Sequence, residues 1–595
     1  MGEILGAFYD QAIFYGADLL CILGWERYTG EEAPDLEINC MGETLDVTSL
    51  SLIKFSRMDV NKHFGDEDEV KWGVMRVFRL ASPFNREDAV DLKFVLKLSS
   101  DEKDVEANLS ENTAVILNST MQMDKKDIRT FVTDILDECV KSVLTSPSEG
   151  FSAVEQLPGF IRLHGDNNVA IPGYGVFLQG WMVDSESNLL GVYLRQGSSI
   201  SENLLGSCSN FDRPDVNKAF ERIVSSRYKA GIYGIFRMSK YNPTKKTDLV
   251  MVAKGGRIAV MPLDVNAGVD DPISLIRTLL TPVDMRKPGY EAEMNGYLGD
   301  AIFSVWANKK TCGDTVQVTE YGQLPDEPVC SIIIPIYGRY DFVLYQIAQF
   351  VQDPGMCRAE IIYVLDDPRL LSEFNQYCAG VYELFRLPFK TVSYDMNLGF
   401  AGANNMGVQY ATAPMLLLLN SDVVPKYAGW LAEMMGTYAH AKNPGILGAR
   451  LLFEDETIQH DGLAYQQIKE FGSLWLVEHP GKGLPVWMTE ELGLRSVPSV
   501  TGACMLMKTE LYSQLGGLDE SYVLGDFEDS DLCLKALNAG YVNYINSSIV
   551  LYHLERQSQN LFEDKSWKFK LTIYNGLQHT RRWGSMIKEL SAEAI

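Results

Sequence analysis

The pattern of hydrophobic and polar positions changes near residue 328 of the chain. Before that point, short segments rich in β-branched and aromatic residues are separated by polar turns, a pattern typical of β-sandwiches. After it, buried apolar runs alternate with amphipathic stretches, which predicts strands and helices in alternation and therefore a mostly parallel α/β sheet. The first four predicted strands begin near residues 329, 359, 389 and 415.

Each of these strands ends in polar or small residues, with Tyr337, Asp366, Asn397 and Asp422 at or just beyond the four ends. The carboxyl ends of parallel strands meet at one edge of the sheet, where open α/β sheets bind their ligands. We therefore expect these four side chains to converge in a crevice of the kind that binds nucleotides.

The amino-terminal half contains an internal repeat. GADLLCILGWERYTGE (16–31) is similar to GYGVFLQGWMVDSES (173–187), and SRMDVNKHFG (56–65) is similar to DRPDVNKAFE (212–221). Trp25 precedes Asp59 by 34 positions, and Trp181 precedes Asp215 by 34 positions. The two tryptophans are candidates for sugar stacking, although an ordinary aromatic core position explains each of them as well.

A helix-like stretch follows each copy of the repeat, at 125–144 and at 271–283. We therefore predict two tandem β-sandwich-like domains with helical ends, followed by the α/β domain and a helical extension. The predicted bounds of these four parts are 1–150, 151–310, 325–562 and 563–595.

Composition narrows the class of protein. The formal charge of −26 over 595 residues disfavours nucleic-acid binding, which depends on Lys and Arg that neutralise phosphates. It also disfavours docking on an anionic membrane surface. The amino terminus lacks a basic start followed by an apolar run, and apolar runs such as Met415–Leu419 are far shorter than a membrane span. Ten singly spaced cysteines fit reduced thiols, so we expect a cytoplasmic protein.

Two groups of acids point to catalysis. The core strand in MLLLLNSDV (415–423) ends in Asp422, and GDFEDSDLCLKALNAGY (525–541) places four acids before a helix. These four are Asp526, Glu528, Asp529 and Asp531. One carboxylate that holds a metal and another that acts as a base are the minimum for a metal-assisted transfer reaction. The chain therefore has the residues expected of an enzyme.

The region from about 328 to 560 resembles a family 2 glycosyltransferase of the GT-A fold, a Rossmann-like α/β fold, close to the rhamnosyltransferase-like branch. The motifs that carry this resemblance, in chain order, are SIIIPIYG, Asp366, NLGFAGANNMG, LLLLNSDV, GARLLFEDETIQHDGLAY, TGACMLMKTELYSQLGGLDESYVLGDFEDSDLCLKALNAGY and LYHLERQS. They occur in register over about 230 residues, and the amino-terminal half has no counterpart in the minimal family domain.

The resemblance implies a nucleotide-sugar site. Pro335 and Tyr337 would shape the pocket for base and ribose, and Asp366 would bind the base or ribose unless it only caps the following turn. The backbone of the glycine-rich segment would lie close to the ribose and pyrophosphate, because glycine permits contacts that a Cβ would block. Its implied binding residues are Asn397, Gly399, Gly402 and Asn404. A loop made of Thr501, Gly502 and Ala503 would face the donor sugar and the acceptor.

The resemblance also implies a metal and a base. Asn420, Ser421 and Asp422 stand where the family has its DXD motif, so Asp422 would be the direct ligand of Mg²⁺ or Mn²⁺. His553 would complete the site, and an imidazole ligand would favour Mn²⁺. Asp529 would be the catalytic base, with Glu528 orienting it or contacting the acceptor.

The implied activity is inverting transfer of a sugar from a UDP- or dTDP-linked donor. The acceptor would be a hydroxyl of a glycan, a lipid-linked molecule or a protein, in bacterial surface polysaccharide or glycoconjugate synthesis. The alternatives are a decayed transferase that only binds nucleotide sugar or glycan, and a nucleotidyltransferase. Arg581 and Arg582 of the basic helix 565–583 would either approach the diphosphate or face solvent. The additional β-rich domains are compatible with a homodimer.

Overall fold

A computed structural model of the chain divides into two compact units, Met1–Asp270 and Asp271–Ile595. The described residues are 3–15, 19–29, 33–40, 43–55, 60, 63–64, 73–81, 92–98, 101–105, 107–109, 154, 157–254, 257–268, 271–308, 316–468, 471, 474–489, 493–554 and 565–593. The helix predicted at 125–144 lies outside them. No helix in these ranges is both long enough and apolar enough to cross a bilayer.

Within its described residues, the first unit contains four sheets in two groups. The first group is made of β1 Ile4–Tyr15, β2 Leu19–Tyr28, β3 Asp35–Cys40, β4 Glu43–Thr44, β5 Val47–Phe55, β6 Gly73–Leu80, β7 Leu92–Leu98, β8 Asp101–Val105 and β9 Ala107–Leu109. The second is made of β10 Ile161–Ile171, β11 Gly175–Asp184, β12 Leu189–Gln196, β13 Ser199–Ile200, β14 Cys208–Phe211, α1 Pro214–Ala219, β15 Gly231–Arg237, β16 Asp248–Ala253 and β17 Arg257–Pro262.

Both groups have the same strand order, except that the first has an additional strand, β9, beside β1. The first group pairs its strands as β5-β6-β2-β1-β9 and β4-β3-β7-β8, and the second as β14-β15-β11-β10 and β13-β12-β16-β17. In each group one hydrophobic cluster takes side chains from both sheets, for example Ile22 with Leu96 and Leu178 with Leu194. The strand order of residues 161–262 thus matches that of residues 4–105, and the division into two tandem domains stays a prediction.

The two repeated tryptophans occupy matching positions. Trp25 packs against Phe64 with 5.6 Å between ring centroids, and Trp181 packs against Phe220 at 5.5 Å. Both tryptophans are half-buried. Each tryptophan thus packs on an aromatic neighbour, and a sugar-stacking role for either one stays a prediction.

The second unit begins with three helices and then forms the α/β sheet. Its elements are α2 Pro272–Leu280, α3 Tyr290–Asn295, α4 Tyr297–Ala307, β18 Gln317–Tyr321, β19 Cys330–Ile336, α5 Phe342–Phe350, β20 Ala359–Leu365, α6 Leu371–Phe385, β21 Phe389–Ser393, α7 Gly399–Val408, β22 Met415–Leu419, β23 Val423–Pro425, α8 Trp430–His440, β24 Pro444–Leu452, β25 Ile458–His460, β26 Ala464–Ile468, β27 Leu474–Glu478, β28 Leu494–Ser496, β29 Cys504–Lys508, α9 Thr509–Gln514, α10 Glu528–Asn538, β30 Val542–His553 and α11 Lys565–Glu593. The stretch predicted to be helical at 271–283 thus contains α2, which clusters with the second unit.

The main sheet is mixed: its parallel strands agree with the prediction of a mostly parallel sheet, but β18, β29 and β23 run antiparallel to their neighbours. The strand order is β18-β21-β20-β19-β22-β29-β24-β30-β23, with β25 beside β24 and β28 beside β30. Strands β21, β20, β19 and β22 are parallel, as are β24 and β30, whereas β29 runs antiparallel to β22. An apolar run specifies a buried strand but does not specify its direction, so the pattern could not reveal this reversal.

Apolar side chains cover both faces of the sheet, as the continuous hydrophobic strands require. On β19, Ile332 and Ile334 belong to the hydrophobic cluster of one face, and Ile333 belongs to that of the other. Because both faces are buried, the polar residues at the strand ends are held in fixed positions along one edge.

A buried ion pair joins β20 and β21. Lys390 Nζ lies 2.8 Å from Glu360 Oε1, and both residues are buried. Burial opposes ionisation of Glu360, but Lys390, the Ser331 hydroxyl and the Thr412 amide outweigh it and lower the pKa of Glu360. Lys390 also donates to the Tyr410 carbonyl at 2.7 Å. The charges are thus compensated only while both partners are present.

We predict that Lys390→Met lowers the free energy of unfolding by about 3–5 kcal/mol, because it leaves a carboxylate buried without its cation. The control is Lys426→Met, which breaks an exposed pair with Glu456 and should cost less than about 1 kcal/mol. Urea titration followed by tryptophan fluorescence measures both. Equal losses would show that the buried pair contributes no more than a surface pair.

Candidate active site

The site lies along the edge where the parallel strands end. In the sheet register, Ile336 of β19 pairs with Leu365 of β20, and Leu365 pairs with Ser393 of β21. The residues that follow these strand ends, among them Tyr337 and Asp366, are therefore neighbours at one edge. The Asp366 amide donates to the Ile336 carbonyl at 2.9 Å and continues the pairing to this edge.

Asp366 is a buried anchor for the glycine-rich segment. Its carboxylate accepts from the Tyr394 hydroxyl at 2.8 Å, from the Leu398 amide at 2.7 Å and from the Gly399 amide at 3.0 Å. These bonds tie the end of β20 to the start of α7, a segment distant in sequence rather than the turn that directly follows Asp366. A contact of Asp366 with the base or ribose stays a prediction.

The start of α7 is fixed by internal contacts. The Gly399 amide also reaches Asn397 Oδ1 at 2.8 Å, and the Phe400 amide donates to the Leu524 carbonyl at 2.9 Å. Gly399 has a φ of +76°, and a Cβ there would lie 3.1 Å from the Leu524 backbone. A Cβ on Gly402 would lie 2.6 Å from Leu398 Cβ. Glycine at these positions therefore permits close packing inside the protein.

Two other residues of the predicted nucleotide pocket are also held by neighbours. Asn404 is fully buried and donates to the Phe400 carbonyl at 2.9 Å, while its Oδ1 has no hydrogen-bond partner among the described residues. Tyr337 lies beneath the guanidinium of Arg369, 5.9 Å from the ring centroid. Burial is the main cause that raises the pKa of Tyr337. Pro335 is half-buried on β19 itself.

A buried glutamine shapes the turn from Asn420 to Asp422. Gln346 of α5 is fully buried, and its amide donates to the Asn420 carbonyl at 2.9 Å and to the Val423 carbonyl at 2.8 Å. The Asn420 amide donates to the Ala503 carbonyl at 3.0 Å. The turn, which includes the half-buried Ser421, is thus held from both sides.

Asp422 and His553 lie side by side. Val423 pairs with His553 across β23 and β30, which brings His553 Nε2 to 3.3 Å from Asp422 Oδ1. The Leu554 amide donates to the Asp422 carbonyl at 3.0 Å. His553 Nδ1 is buried and has no hydrogen-bond partner within the described part of the chain.

These two side chains fit a divalent cation that has only a few protein ligands. Adjacent ligands of a six-coordinate ion at about 2.1 Å are about 3 Å apart, close to the separation of the Asp422 and His553 atoms. Among the described residues, no group of three or more His, Cys, Asp or Glu is arranged to hold a metal. Water and diphosphate oxygens would therefore have to supply the other ligands, as is usual for Mg²⁺ with phosphates.

Asp529 lies at the first turn of α10, and two amides fix its carboxylate. Gly502 donates to Oδ2 at 2.8 Å, and Ser530 donates to Oδ1 at 2.7 Å. Burial and the charge of Asp526 raise the pKa of Asp529 and outweigh these two bonds, which lower it. A Cβ on Gly502 would lie 3.3 Å from Asp529 Cβ, so glycine permits this approach.

Glu528 is buried beside Asp529. Its Oε2 has no hydrogen-bond partner among the described residues. Burial and the charge of the neighbouring Asp529 raise the pKa of Glu528 well above its ordinary value.

The loop before α10 has an unusual backbone. Leu524, Asp526 and Phe527 have φ values of +64°, +76° and +77°, a conformation that costs energy for residues with a Cβ. Asn575 of α11 is fully buried and clamps this loop: it accepts from the Val523 amide at 3.1 Å and donates to the Gly525 carbonyl at 2.6 Å. The carboxyl-terminal helix therefore helps to place Glu528 and Asp529.

Arg582 and Asp531 bind each other. Arg582 Nη1 is 2.7 Å from Asp531 Oδ1, and Trp583 Nε1 donates to the same oxygen at 2.7 Å. Arg582 also pairs with Asp519 at 2.5 Å. Asp531 is fully buried and joins α11 to α10 through Arg582. The Arg582 side chain is 43% exposed, so it faces solvent in part while it pairs with these two acids, and its approach to a diphosphate stays a prediction. Arg581 is exposed.

Sequence reasoning did not identify Gln346, Asn575 or Ser530 as residues of the site. The first two are single amides inside amphipathic helices, and nothing in the local pattern distinguishes a buried amide from a solvated one. Ser530 is hydrogen-bonded to Tyr465 at 2.7 Å and to His579 at 3.0 Å. Its position directly after Asp529 was the only available signal.

Three relatives match part of the chain. The uncharacterised protein y4gI of Sinorhizobium fredii (strain NBRC 101917 / NGR234) is 34% identical over 162 residues, 27% of this chain and 17% of that protein. The O-antigen biosynthesis protein RfbC of Myxococcus xanthus is 27% identical over 214 residues, 35% of this chain and 16% of RfbC. The low-salt glycan biosynthesis hexosyltransferase Agl10 of Haloferax volcanii is 24% identical over 214 residues, 34% of this chain and 61% of Agl10. The chain thus spans less than two thirds of each relative.

Two solved structures are similar in part. GalNAc-T7, crystallised with UDP, GalNAc and Mn²⁺, has a TM-score of 0.34 and 14% identity, over 44% of this chain and 50% of that one. The mannosyltransferase PcManGT of Pyrobaculum calidifontis, in complex with GDP-Man and Mn²⁺, has a TM-score of 0.28 and 14% identity, over 54% and 86%. Likenesses this weak define no residue's role.

The family comparison covers the first part of the site. The model of Glycosyl transferase family 2 matches residues 331–472, a range that contains Asp366, the glycine-rich segment and the turn from Asn420 to Asp422. The match ends before Glu528, Asp529 and His553. Residues 331–472 are therefore a Glycosyl transferase family 2 domain.

Proposed function

We propose that this chain is an inverting glycosyltransferase of the GT-A fold that transfers a sugar from a UDP- or dTDP-linked donor to a hydroxyl of an acceptor. The acceptor is a glycan, a lipid-linked molecule or a protein, in the synthesis of surface polysaccharide or glycoconjugate. The names of RfbC and Agl10, which refer to O-antigen and glycan biosynthesis, support this class of pathway. Membership of the rhamnosyltransferase-like branch is part of the same proposal.

One observation carries the proposal: a three-residue loop joins the base to the metal turn. Gly502 donates to the Asp529 carboxylate at 2.8 Å, and the adjacent Ala503 accepts from the Asn420 amide at 3.0 Å. The candidate base Asp529 and the turn that carries the candidate metal ligand Asp422, more than a hundred positions apart in sequence, are thus held by two neighbouring residues of one loop. The link keeps the candidate base and the metal turn in a fixed relation, as the proposed reaction requires.

In the proposed reaction, Asp529 accepts the proton of the acceptor hydroxyl. The hydroxyl oxygen forms a bond to the anomeric carbon as the bond from that carbon to the diphosphate oxygen breaks, and the nucleoside diphosphate leaves. Displacement from the opposite face inverts the anomeric configuration. A divalent cation held by Asp422 Oδ1 and His553 Nε2 would supply positive charge to the leaving diphosphate. Glu528 orients the base or contacts the acceptor.

The amino-terminal unit belongs to the proposal as two tandem β-sandwich-like domains. The shared strand order of residues 4–105 and 161–262 supports this division. So do the two hydrophobic clusters, each of which takes side chains from two sheets. The proposed transferase domain would then carry two large β-rich domains on the same chain when it binds its acceptor.

A panel of nucleotide sugars tested by thermal shift, with and without Mn²⁺, tests the function directly. Binding of the correct donor stabilises the folded state in proportion to the logarithm of its saturation. We expect a cation-dependent shift with donors that share one nucleotide, followed by transfer with inverted product. If a folded sample binds donor but transfers nothing to any acceptor, the chain is a decayed transferase.

Replacing the base should separate chemistry from binding. We predict that Asp529→Asn lowers kcat by at least about 100-fold, since general-base catalysis contributes about 10²–10⁴-fold. Donor binding should be retained because asparagine keeps an oxygen acceptor for Gly502. The control is Asp326→Asn, an exposed acid in a loop before β19. Turnover of Asp529→Asn at the wild-type rate would exclude the assigned base.

Replacing the proposed metal ligand should instead weaken the binding of the donor. In Asp422→Ala, the thermal shift caused by donor in the presence of Mn²⁺ should fall to the shift measured without the cation. The physical reason is that His553 alone is a weak site for a hard divalent ion. A cation-dependent shift as large as that of the wild type would place the metal elsewhere.

The pH dependence of kcat/KM follows from the charge around Asp529. Since its pKa is raised, activity should be present above that pKa and be lost as pH falls through it. The negative charge of Asp526 is one cause of the rise, so Asp526→Asn should lower the pKa and move the acidic limb to lower pH. Asp326→Asn should leave the limb in place. A limb that moves to higher pH in Asp526→Asn would contradict the assignment.

A further inference from the structure

His460 is a buried histidine that the proposed reaction does not use. It is the last residue of β25, in the segment IQHDGLAY, and it has no exposed surface. A buried imidazole needs partners for both ring nitrogens, because an unsatisfied polar atom in the interior is costly. Its partners therefore indicate what the residue holds in place.

Both ring nitrogens of His460 are engaged. Nε2 accepts from the Gly462 amide at 3.3 Å and from the Thr501 amide at 3.4 Å. Nδ1 lies 3.1 Å from Nδ1 of His479, and the two rings meet edge to face. The imidazole thus bridges His479 and the loop that begins at Thr501.

These contacts define the proton positions. A backbone amide can only donate, so Nε2 of His460 must present its lone pair and carry no proton. The neutral ring then carries its proton on Nδ1, which donates to Nδ1 of His479, and His479 has its own proton on Nε2. Burial is the main cause that lowers the pKa of His460 well below its ordinary value. The ring therefore stays neutral.

The residue that His460 holds begins the loop that links the two halves of the site. Thr501 is followed by Gly502, whose amide binds the Asp529 carboxylate, and by Ala503, whose carbonyl binds the Asn420 amide. The Ala503 amide also reaches Thr501 Oγ1 at 3.4 Å, and the Cys504 amide reaches the Thr501 carbonyl at 3.3 Å. A shift of Thr501 would therefore move the partners of both the base and the metal turn.

We propose that His460, as the neutral tautomer with its proton on Nδ1, is a positioning residue for the transfer reaction. It holds the Thr501–Ala503 loop through Nε2 and thereby sets the placement of Asp529 relative to the turn that carries Asp422. This inference rests on the proposed function for its catalytic consequence, whereas its structural part stands on the contacts alone.

Two substitutions by amide side chains distinguish the roles of the two ring nitrogens of His460. In His460→Gln, the longer side chain places an oxygen acceptor near the position of Nε2 and can still accept from Thr501. In His460→Asn, the shorter side chain reaches only the position of Nδ1, and the Thr501 amide loses its acceptor. The matched control is His440→Gln, an exposed histidine at the end of α8.

The first measurement is hydrogen exchange of the full chain. We expect His460→Asn to speed exchange of the Thr501 and Gly502 amides by about tenfold or more, and His460→Gln and His440→Gln to leave it near the wild-type rate. Unchanged exchange in His460→Asn would overturn the proposal. This readout needs no turnover, so it decides the structural part even if wild-type enzyme transfers no sugar and the proposed function fails.

The second measurement is turnover with a donor that the wild type uses. We expect kcat of His460→Asn to fall by about 100-fold, the loss that a displacement of about 1 Å can cause, and His460→Gln to recover most of it. Equal losses in the two variants, or full activity in His460→Asn, would overturn the proposal.

If neither variant folds, the wild type itself provides the test. ¹⁵N spectra of the chain labelled on its seven histidines distinguish the two neutral tautomers. A buried, neutral ring protonated on Nδ1 supports the assignment, and a ring protonated on Nε2 overturns it.

Discussion

The site depends on the loop that joins Asp529 to the turn at Asn420. Gly502 and Ala503 are adjacent, yet one donates to the Asp529 carboxylate and the other accepts from the Asn420 amide. Because β29 begins directly after this loop and pairs with β22, the loop is continuous with the middle of the sheet. The packed core of the sheet thus holds the candidate base and the metal turn in place. Such fixed placement is needed to orient reacting groups precisely.

The acids at the start of α10 differ in their partners. Glu528 is buried and Asp529 is half-buried, neither is paired with a cation among the described residues, and desolvation raises the pKa of both. Asp531, only two positions after Asp529, is fully buried and is paired with Arg582. The same helix thus carries one acid that fixes α11 in place and another that is suited to accept a proton.

Sequence predicted the parts of the site that local patterns encode. The turn at Asp422 and the pair Glu528–Asp529 follow from short motifs, and the parallel strands from apolar runs. The direction of β29, the amide of Gln346 and the partner of Arg582 could not be predicted, because each depends on an element distant in sequence. A pattern records which face of a helix or strand is apolar, but it does not record which polar side chain meets which backbone group across the core.

The contacts at the start of α7 bear on how a diphosphate could be bound at all. A free helix amino terminus attracts anions, but the amides of Leu398, Gly399 and Phe400 are already engaged by Asp366 and Leu524. In a chain of net charge −26, the negative charge of a nucleoside diphosphate then needs another source of compensation. Asp422 and His553 answer this need only by holding a cation, since a carboxylate alone would repel the ligand. The internal use of the helix amides is therefore a physical reason to expect that donor binding depends on a divalent ion.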